Sequence, residues 1–106
     1  MNYKVKFLPS ALKEWKKLAP PIQKQFKKKL QERLAAPHNK ADQLRGFKDV
    51  YKIKLRSVGY RLVYEVNDAE ITIFIIAVGK RDYINENKIN TLSSKFNSNN
   101  TCILFN

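Results

Sequence analysis

The sequence predicts an α+β domain: one strand, two helices, then three more strands. Three observations carry that expectation. Apolar residues alternate at the N-terminus, recur every three or four positions between residues 10 and 35, and return as strand-like runs from 49 to 78. A chain of 106 residues fits one domain with a single modest core. The expected division is a folded domain over 1–90 and a Ser- and Asn-rich tail over 91–106, flexible or loosely docked.

Tyr3, Val5 and Phe7 alternate with Lys4 and Lys6, the period of a strand with one buried face. Pro9 and Ser10 interrupt that strand, and Ser10 is a candidate helix N-cap. Leu12, Trp15 and Leu18 recur at three-residue spacing and mark a short amphipathic helix. Pro20 and Pro21 end it and suit the first turn of the next. Ile22, Phe26, Leu30 and Leu34 recur every four residues, giving a helix over 21–35 that Pro37 stops. The two helices are expected to form a compact hairpin, packed through Trp15, Leu18, Phe26 and Leu30 on an antiparallel sheet. Gly46 marks a turn in the polar loop that follows. Strands are expected at about 49–55, 60–66 and 70–78. Their connectors, 56–59 and a tight turn near Asp68-Ala69, are short enough to make them antiparallel neighbours. A short C-terminal helix over 81–90 completes the pattern.

The 21 Lys and Arg residues outnumber the 9 Asp and Glu, for a net charge of +12. Such an excess points to an anionic partner: nucleic acid, acidic lipid or an acidic protein. A membrane-surface role for the basic helices competes with their need to cover the strands. Cys102 is the one cysteine, so neither an internal disulfide nor a cysteine-based zinc site is available, and a reducing cytoplasm fits best. His38, between Pro37 and Asn39, reads as a solvated loop residue rather than a catalytic one. No run approaches the roughly 18 apolar residues of a membrane span. The N-terminus lacks the long apolar stretch of a signal peptide. Neither a cofactor nor a metal ligand set is expected.

The register of the central hairpin follows from its loop. Four loop residues at 56–59 place Leu55 opposite Tyr60, Ile53 opposite Leu62 and Tyr51 opposite Tyr64, three apolar pairs on one face. The same logic carried onward puts Tyr64 opposite Ile73 and Leu62 opposite Ile75. On the other face Lys52 and Lys54 project together, with Arg61 opposite Lys54. Like charges directly opposite are unfavourable. Arg81 joins them if the strand order is sequential, and Glu65 is the one acid further along. Two readings of this face stand open: a solvated charged surface, or a phosphate site whose bound anion relieves the repulsion.

Such a site has chemistry available without histidine or metal, because RNA carries its own nucleophile in the ribose 2′-hydroxyl. Cleavage requires that hydroxyl deprotonated, the phosphorane anion stabilised and the leaving 5′-oxygen protonated. Lysine titrates near about 10.4, but neighbouring cations favour its neutral form. Lys54, beside Lys52 and opposite Arg61, is placed for that shift. Arginine stays charged and suits electrostatic clamping. Positioning by a second body would supply much of the remaining rate.

Several blocks resemble the RelE-type toxins of the RelE/ParE toxin–antitoxin superfamily. They are Ala11-Leu12-Lys13-Glu14-Trp15-Lys16-Lys17-Leu18, Leu44-Arg45-Gly46, Tyr51-Lys52-Ile53-Lys54-Leu55-Arg56-Ser57, Gly59-Tyr60-Arg61-Leu62-Val63-Tyr64 and Val78-Gly79-Lys80-Arg81. The likeness runs from about residue 3 to residue 82. It implies a βααβββ microbial ribonuclease fold and a metal-independent mRNA endonuclease acting in the ribosomal A site. The implied products are a 2′,3′-cyclic or 3′-phosphate end and a 5′-hydroxyl end. By the same resemblance Lys54 is the general base, Lys52 and Arg61 stabilise the phosphorane, and Arg81 assists the leaving group. Arg45 would contact RNA. Lys13, Lys16 and Lys17 of the first helix and Lys24, Lys27 and Lys28 of the second would bind ribosomal RNA. The implied inhibitor is a RelB-like antitoxin, whose complex with the toxin would repress its own operator DNA.

The sequence departs from the family at one functional position. The family has a tyrosine six residues after the arginine matching Arg81, where it stacks on the target base; here Asn87 stands there. Tyr83 is the nearby candidate substitute. The alternatives are a weakened or inactive homologue that binds antitoxin and ribosome without efficient cleavage, and a ParE-like gyrase inhibitor. A free ribonuclease is a further one, disfavoured by too few groups titrating near neutrality.

Overall fold

The computed structural model of the protein describes residues 3–84 and 103–104. Strand β1 (Lys4–Phe7) leads into helices α1 (Pro9–Lys17) and α2 (Pro20–Ala35). After a one-turn 3-10 segment at Lys40–Asp42 come β2 (Val50–Leu55), β3 (Tyr60–Asn67) and β4 (Thr72–Lys80). A two-residue strand, β5 (Ile103–Leu104), pairs with Lys6 and Phe7. The sheet order is β2-β3-β4-β1-β5, so the fold is α+β as expected.

The sheet is mixed rather than purely antiparallel. β1 runs parallel to β4, with Val5 opposite Ile73 and Phe7 opposite Ile75. The helix pair and the β2–β3 hairpin together form the long connection that a parallel pairing requires. Val5 and Phe7 thereby join Ile73 and Ile75 on the face that the helices cover. Phe7, Trp15 and Phe26 form a continuous aromatic step from sheet to helices, with ring centroids 5.4 and 6.3 Å apart. Trp15, Leu18, Phe26 and Leu30 are all buried, as their spacing predicted.

Helix α1 begins two residues earlier than a Ser10 cap would place it. Leu8 is the N-cap and Pro9 the first helical residue, and no side chain caps the helix. The Leu8 N–H donates to the Ile75 carbonyl at 3.0 Å, while its own carbonyl accepts from Leu12 N–H at 2.9 Å. Leu8 therefore ends the strand ladder and starts the helix at once, and proline presets the first turn. At the other end, the Gln23 side-chain amide donates to the Trp15 carbonyl at 2.7 Å and ties α2 to the end of α1.

The buried Tyr64 hydroxyl anchors the segment after α2. It accepts from Arg33 at 2.9 Å and donates to the Pro37 carbonyl at 2.8 Å. Arg33 also pairs with Asp42. The helix end, the loop and the central strand are thus joined by one satisfied polar network.

The β2–β3 register is the expected one: Leu55 with Tyr60, Ile53 with Leu62, Tyr51 with Tyr64. The β3–β4 register is not. Tyr64 faces Ile75, and Leu62 faces Val78. Two features displace it. The connecting turn spans Asp68 to Ile71, with Ile71 at φ 51°, and is longer than a tight turn at Asp68-Ala69. A bulge between Val63 and Tyr64 then offsets the strands further. Arg81–Tyr83 form a single 3-10 turn, and Ile84 is buried behind it. The rest of the short helix expected over 81–90, the division at residue 90, Asn87 and Cys102 lie outside the described residues.

Candidate active site

Strands β2 and β3 place Lys54 directly opposite Arg61, and Arg61 opposite Gly79 of β4. Lys52 lies two residues before Lys54 on the same side of β2. Arg81 is brought in by the sequential order β2-β3-β4 and by one backbone bond. Its N–H donates to the carbonyl of Gly59, in the β2–β3 loop, at 2.9 Å. Gly59 sits at φ 71°, a left-handed conformation that closes this loop and that a residue with a Cβ adopts only with strain.

The result is a pocket of about 340 Å³ lined by Lys54, Leu55, Arg56, Gly59, Tyr60, Arg61 and Arg81. Lys52 does not line it, but acts on it electrostatically. The Lys54 pKa is lowered, first by the Lys52 ammonium, then by desolvation, then by Arg61, with Arg56 contributing less. The Arg61 Nε is buried without a hydrogen-bond partner, a costly state for a charged donor. Among the described residues, the ion pairs formed by carboxylates involve Lys17, Arg33 and His38, and none of the four cations at this pocket. Glu65 is half-buried further along β3, where burial and Asp49 raise its pKa. The arrangement can therefore hold a phosphate between fixed positive charges and present an amine with increased neutral population.

Tyr83 does not enter this pocket. The residue is 67% exposed and lines a neighbouring pocket of about 440 Å³ together with Glu14 and Lys17 of α1 and Leu18 just after it. Tyr60 lines both pockets and separates them. Sequence reasoning assigned Tyr60 only to the core and Arg56 only to a connector. Their signal was position: Tyr60 precedes Arg61, and Arg56 opens the four-residue loop two positions after Lys54.

The predicted RNA-binding residues are dispersed. Lys13, Lys16 and Lys17 are exposed on α1, with Lys17 3.6 Å from Glu14. Lys24, Lys27 and Lys28 are exposed on α2 along a shallow groove of about 660 Å³ shared with Pro21, Gln25 and Gln31. Arg45 is exposed in the turn that Gly46 closes at φ 84°. That turn is tied to Val50 at the start of β2, the opposite end of the strand from Lys54.

His38 is more constrained than a solvated loop residue. Its Nε2 lies 2.8 Å from Asp68 and its Nδ1 3.0 Å from the Tyr51 hydroxyl. Asp49 is 3.8 Å from Nδ1. The β3–β4 turn brings Asp68 to it, a tertiary approach with no local sequence signal.

Comparison with known proteins agrees with this fold. The family model for the ParE toxin of type II toxin-antitoxin system, parDE, matches residues 5–84. The mRNA interferase toxin RelE of Escherichia coli K12 is 54% identical over 82 residues, covering 77% of this chain and 86% of that protein. A mutant of E. coli toxin RelE in the free state superposes with a TM-score of 0.79 at 45% identity, covering 90% of this chain and 98% of that one. RelE in the intact E. coli RelBE toxin-antitoxin complex superposes at 0.72 with 51% identity, covering 76% and 96%. The chain belongs to the RelE/ParE family of toxins of type II toxin–antitoxin systems and is a homologue of the mRNA interferase RelE.

Proposed function

We propose that this chain is a ribosome-dependent mRNA endonuclease that cuts the codon in the ribosomal A site and so arrests translation. The observation that carries the reading is the pairing of Lys54 with Arg61 across the hairpin, in one pocket with Arg81. The relative named an mRNA interferase supports it. Neutral Lys54 removes the proton from the ribose 2′-hydroxyl. The resulting oxyanion attacks the adjacent phosphorus, and Lys52 and Arg61 stabilise the added negative charge of the phosphorane. The bond from phosphorus to the 5′-oxygen then breaks. Arg81 donates a hydrogen bond to that oxygen, which ends as a hydroxyl with a proton from solvent. Lys54 returns its proton to solvent, and a 2′,3′-cyclic phosphate remains on the other product.

The exposed lysines of α1 and α2 and Arg45 serve this reading as contacts to ribosomal RNA and message. Their dispersal over the surface suits a large anionic partner better than a small one. The inhibitor is a RelB-like antitoxin, by analogy with the RelBE complex; contact with operator DNA through a toxin–antitoxin complex is part of the same proposal. Among the described residues no helix is long and apolar enough to cross a membrane. The proposed site of action is the cytoplasm, where the ribosomes are.

The test is primer extension on messages from translating ribosomes, with the native chain and a Lys54→Ala, Arg81→Ala double mutant. New ends inside the A-site codon with native protein, and none with the mutant, are expected. An intact message with both proteins, while ribosome binding persists, replaces the nuclease with a binding-only homologue. DNA damage in place of translation arrest on expression would favour a ParE-like gyrase inhibitor, the alternative left open by the sequence.

A further inference from the structure

The sheet has a second chemical cluster at the end opposite the cationic pocket. His38 comes from the segment after α2, Asp49 immediately precedes β2, and Asp68 opens the β3–β4 turn. One ligand atom from each lies within 4.8 Å of the other two. Asp49 is held at φ 61°, and its backbone carbonyl accepts from Val66 N–H at 2.8 Å, so its position is set by the sheet and not by a free loop. Two of the chain's nine acids have therefore gathered around its sole histidine, in a protein carrying 21 lysines and arginines.

We propose that His38, Asp49 and Asp68 form a binding site for a divalent transition-metal ion of the zinc class. Three features favour that ligand over a plain hydrogen-bonded cluster. First, the donors are one imidazole and two carboxylates, a mixed set that suits zinc and its neighbours and not magnesium or calcium, which take oxygen alone. Second, the orienting partner of the histidine is already present. In the structure Nε2–H donates to Asp68 at 2.8 Å and Nδ1 accepts from the Tyr51 hydroxyl at 3.0 Å; an ion that displaces the Nε2 proton takes Nε2 as its ligand and leaves Nδ1–H to donate to the same hydroxyl. Two ligands on a tetrahedral zinc ion stand roughly 3.3 Å apart, given metal bonds near 2.0–2.1 Å, so binding requires a small opening of the Nε2–Asp68 pair and a swing of the Asp49 carboxylate, which lies 3.8 Å from Nδ1, toward Nε2. Third, the described residues supply no lysine or arginine ion pair to Asp49 or Asp68; their one charged partner is His38. Asp68 is held in place by the Tyr3 hydroxyl, which donates at 2.7 Å to the carboxylate oxygen that also faces His38.

The ion would clamp three segments that the chain otherwise joins through hydrogen bonds and the packing of the His38 ring on Tyr51. Its effect is on stability and not on cleavage, since Lys54 lies five residues along β2 from Asp49, about 16 Å away at the usual strand rise. The proposal is independent of the nuclease reading.

The test is zinc chloride titrated calorimetrically into untagged protein carrying Cys102→Ser, which removes the one thiol, with magnesium chloride as the control. Proton NMR of the single histidine and thermal melts accompany it. Binding of one zinc ion per chain, displacement of the His38 ring resonances and a raised melting temperature are expected. The Asp49→Asn, Asp68→Asn double variant keeps hydrogen-bonding groups and tolerates the left-handed backbone at 49, and should weaken zinc by at least about tenfold. Unmoved His38 resonances, unchanged affinity in the double variant, or an equal response to magnesium would each overturn the proposal. A message-cleavage assay on the double variant should match the Cys102→Ser parent.

Discussion

Lys54 and Arg61 face each other across adjacent strands with no acid between them, and Lys52 on the same strand adds a third charge. A sheet selected for stability would not pair like charges this way, which costs roughly 0.2–1 kcal/mol. On the proposed function the arrangement would link catalysis and stability with opposite signs. Lys52→Met or Arg61→Gln should raise apo-protein stability by some tenths of a kcal/mol in urea melts while lowering cleavage of A-site codons. Added sulfate should raise the melting temperature of the native chain more than chloride at equal ionic strength, and much less in the variants. A loss of stability in both variants would show that the face is ordinary solvated surface.

Lys54 has a depressed pKa because of Lys52 first, desolvation second and Arg61 third. As a base it acts when neutral, so cleavage should rise as pH increases through its folded-state pKa. Removing Lys52 raises that pKa back toward the ordinary lysine value of 10.5, and the rising limb of the rate profile should move to higher pH. The linkage sign follows. A lysine whose folded pKa lies below its unfolded value disfavours the fold while protonated. Its penalty is present below the folded pKa and disappears as pH rises toward 10.5. A pH–rate profile for the native chain and Lys52→Met, on ribosomes stable over that range, checks the shift; coincident profiles would remove Lys52 from any role in tuning the base.

The convergence of these charges was legible in the sequence because strand alternation and a four-residue loop determine a hairpin register with few alternatives. Leu55 with Tyr60 and Lys54 with Arg61 followed from that alone. The next register did not follow. The bulge at Val63/Tyr64 inserts one residue in a run where Ile73 to Val78 are all apolar, so no alternation reports which face each occupies. The parallel pairing of β1 with β4 was equally silent, since a four-residue strand with one apolar face carries no mark of its partner. His38 is an exposed loop residue, as expected, but its hydrogen bonds were not legible: Asp68 and Tyr51 are 30 and 13 positions distant.

The Gly59 carbonyl holds Arg81 at the pocket, and Gly59 itself is left-handed. A Cβ there would meet nothing within 4 Å, so Gly59→Ala tests backbone conformation without steric crowding. The substitution should cost about 1–2 kcal/mol of stability. If the loop relaxes to relieve it, the Arg81 N–H loses its acceptor and cleavage should fall further than the unfolded fraction explains. Chemical denaturation together with rates normalised to folded protein separates the two effects. Normal cleavage per folded molecule would mean that the Gly59 bond does not position Arg81.

Tyr64→Phe removes a buried hydroxyl that serves Arg33 and the Pro37 carbonyl together. Both partners are left short of a bond, and a loss of roughly 1–3 kcal/mol is expected. The network lies on the helix side of the sheet, so message cleavage per folded molecule should be unchanged. A large drop in that normalised rate would show that the α2–β3 anchor transmits to the cationic face.

Tyr83 tests how the chain manages without the family tyrosine at position 87. Its ring is largely exposed and sits across Tyr60 from the cationic pocket, with Glu14 and Lys17 facing it. A nucleotide whose phosphate lies between Lys54 and Arg61 has an adjacent base within reach of that wall only if it crosses Tyr60. If the base does stack there, Tyr83→Ala should slow cleavage by roughly tenfold to a hundredfold, the equivalent of about 1–3 kcal/mol, and Tyr83→Phe should retain most of the rate. Asn87→Tyr would then add little. The opposite pattern, with Tyr83→Ala neutral and Asn87→Tyr strongly accelerating, would mean that the native chain cleaves with its target base unsupported. Single-turnover cleavage on stalled ribosomes distinguishes these outcomes because it isolates the chemical step from binding and product release.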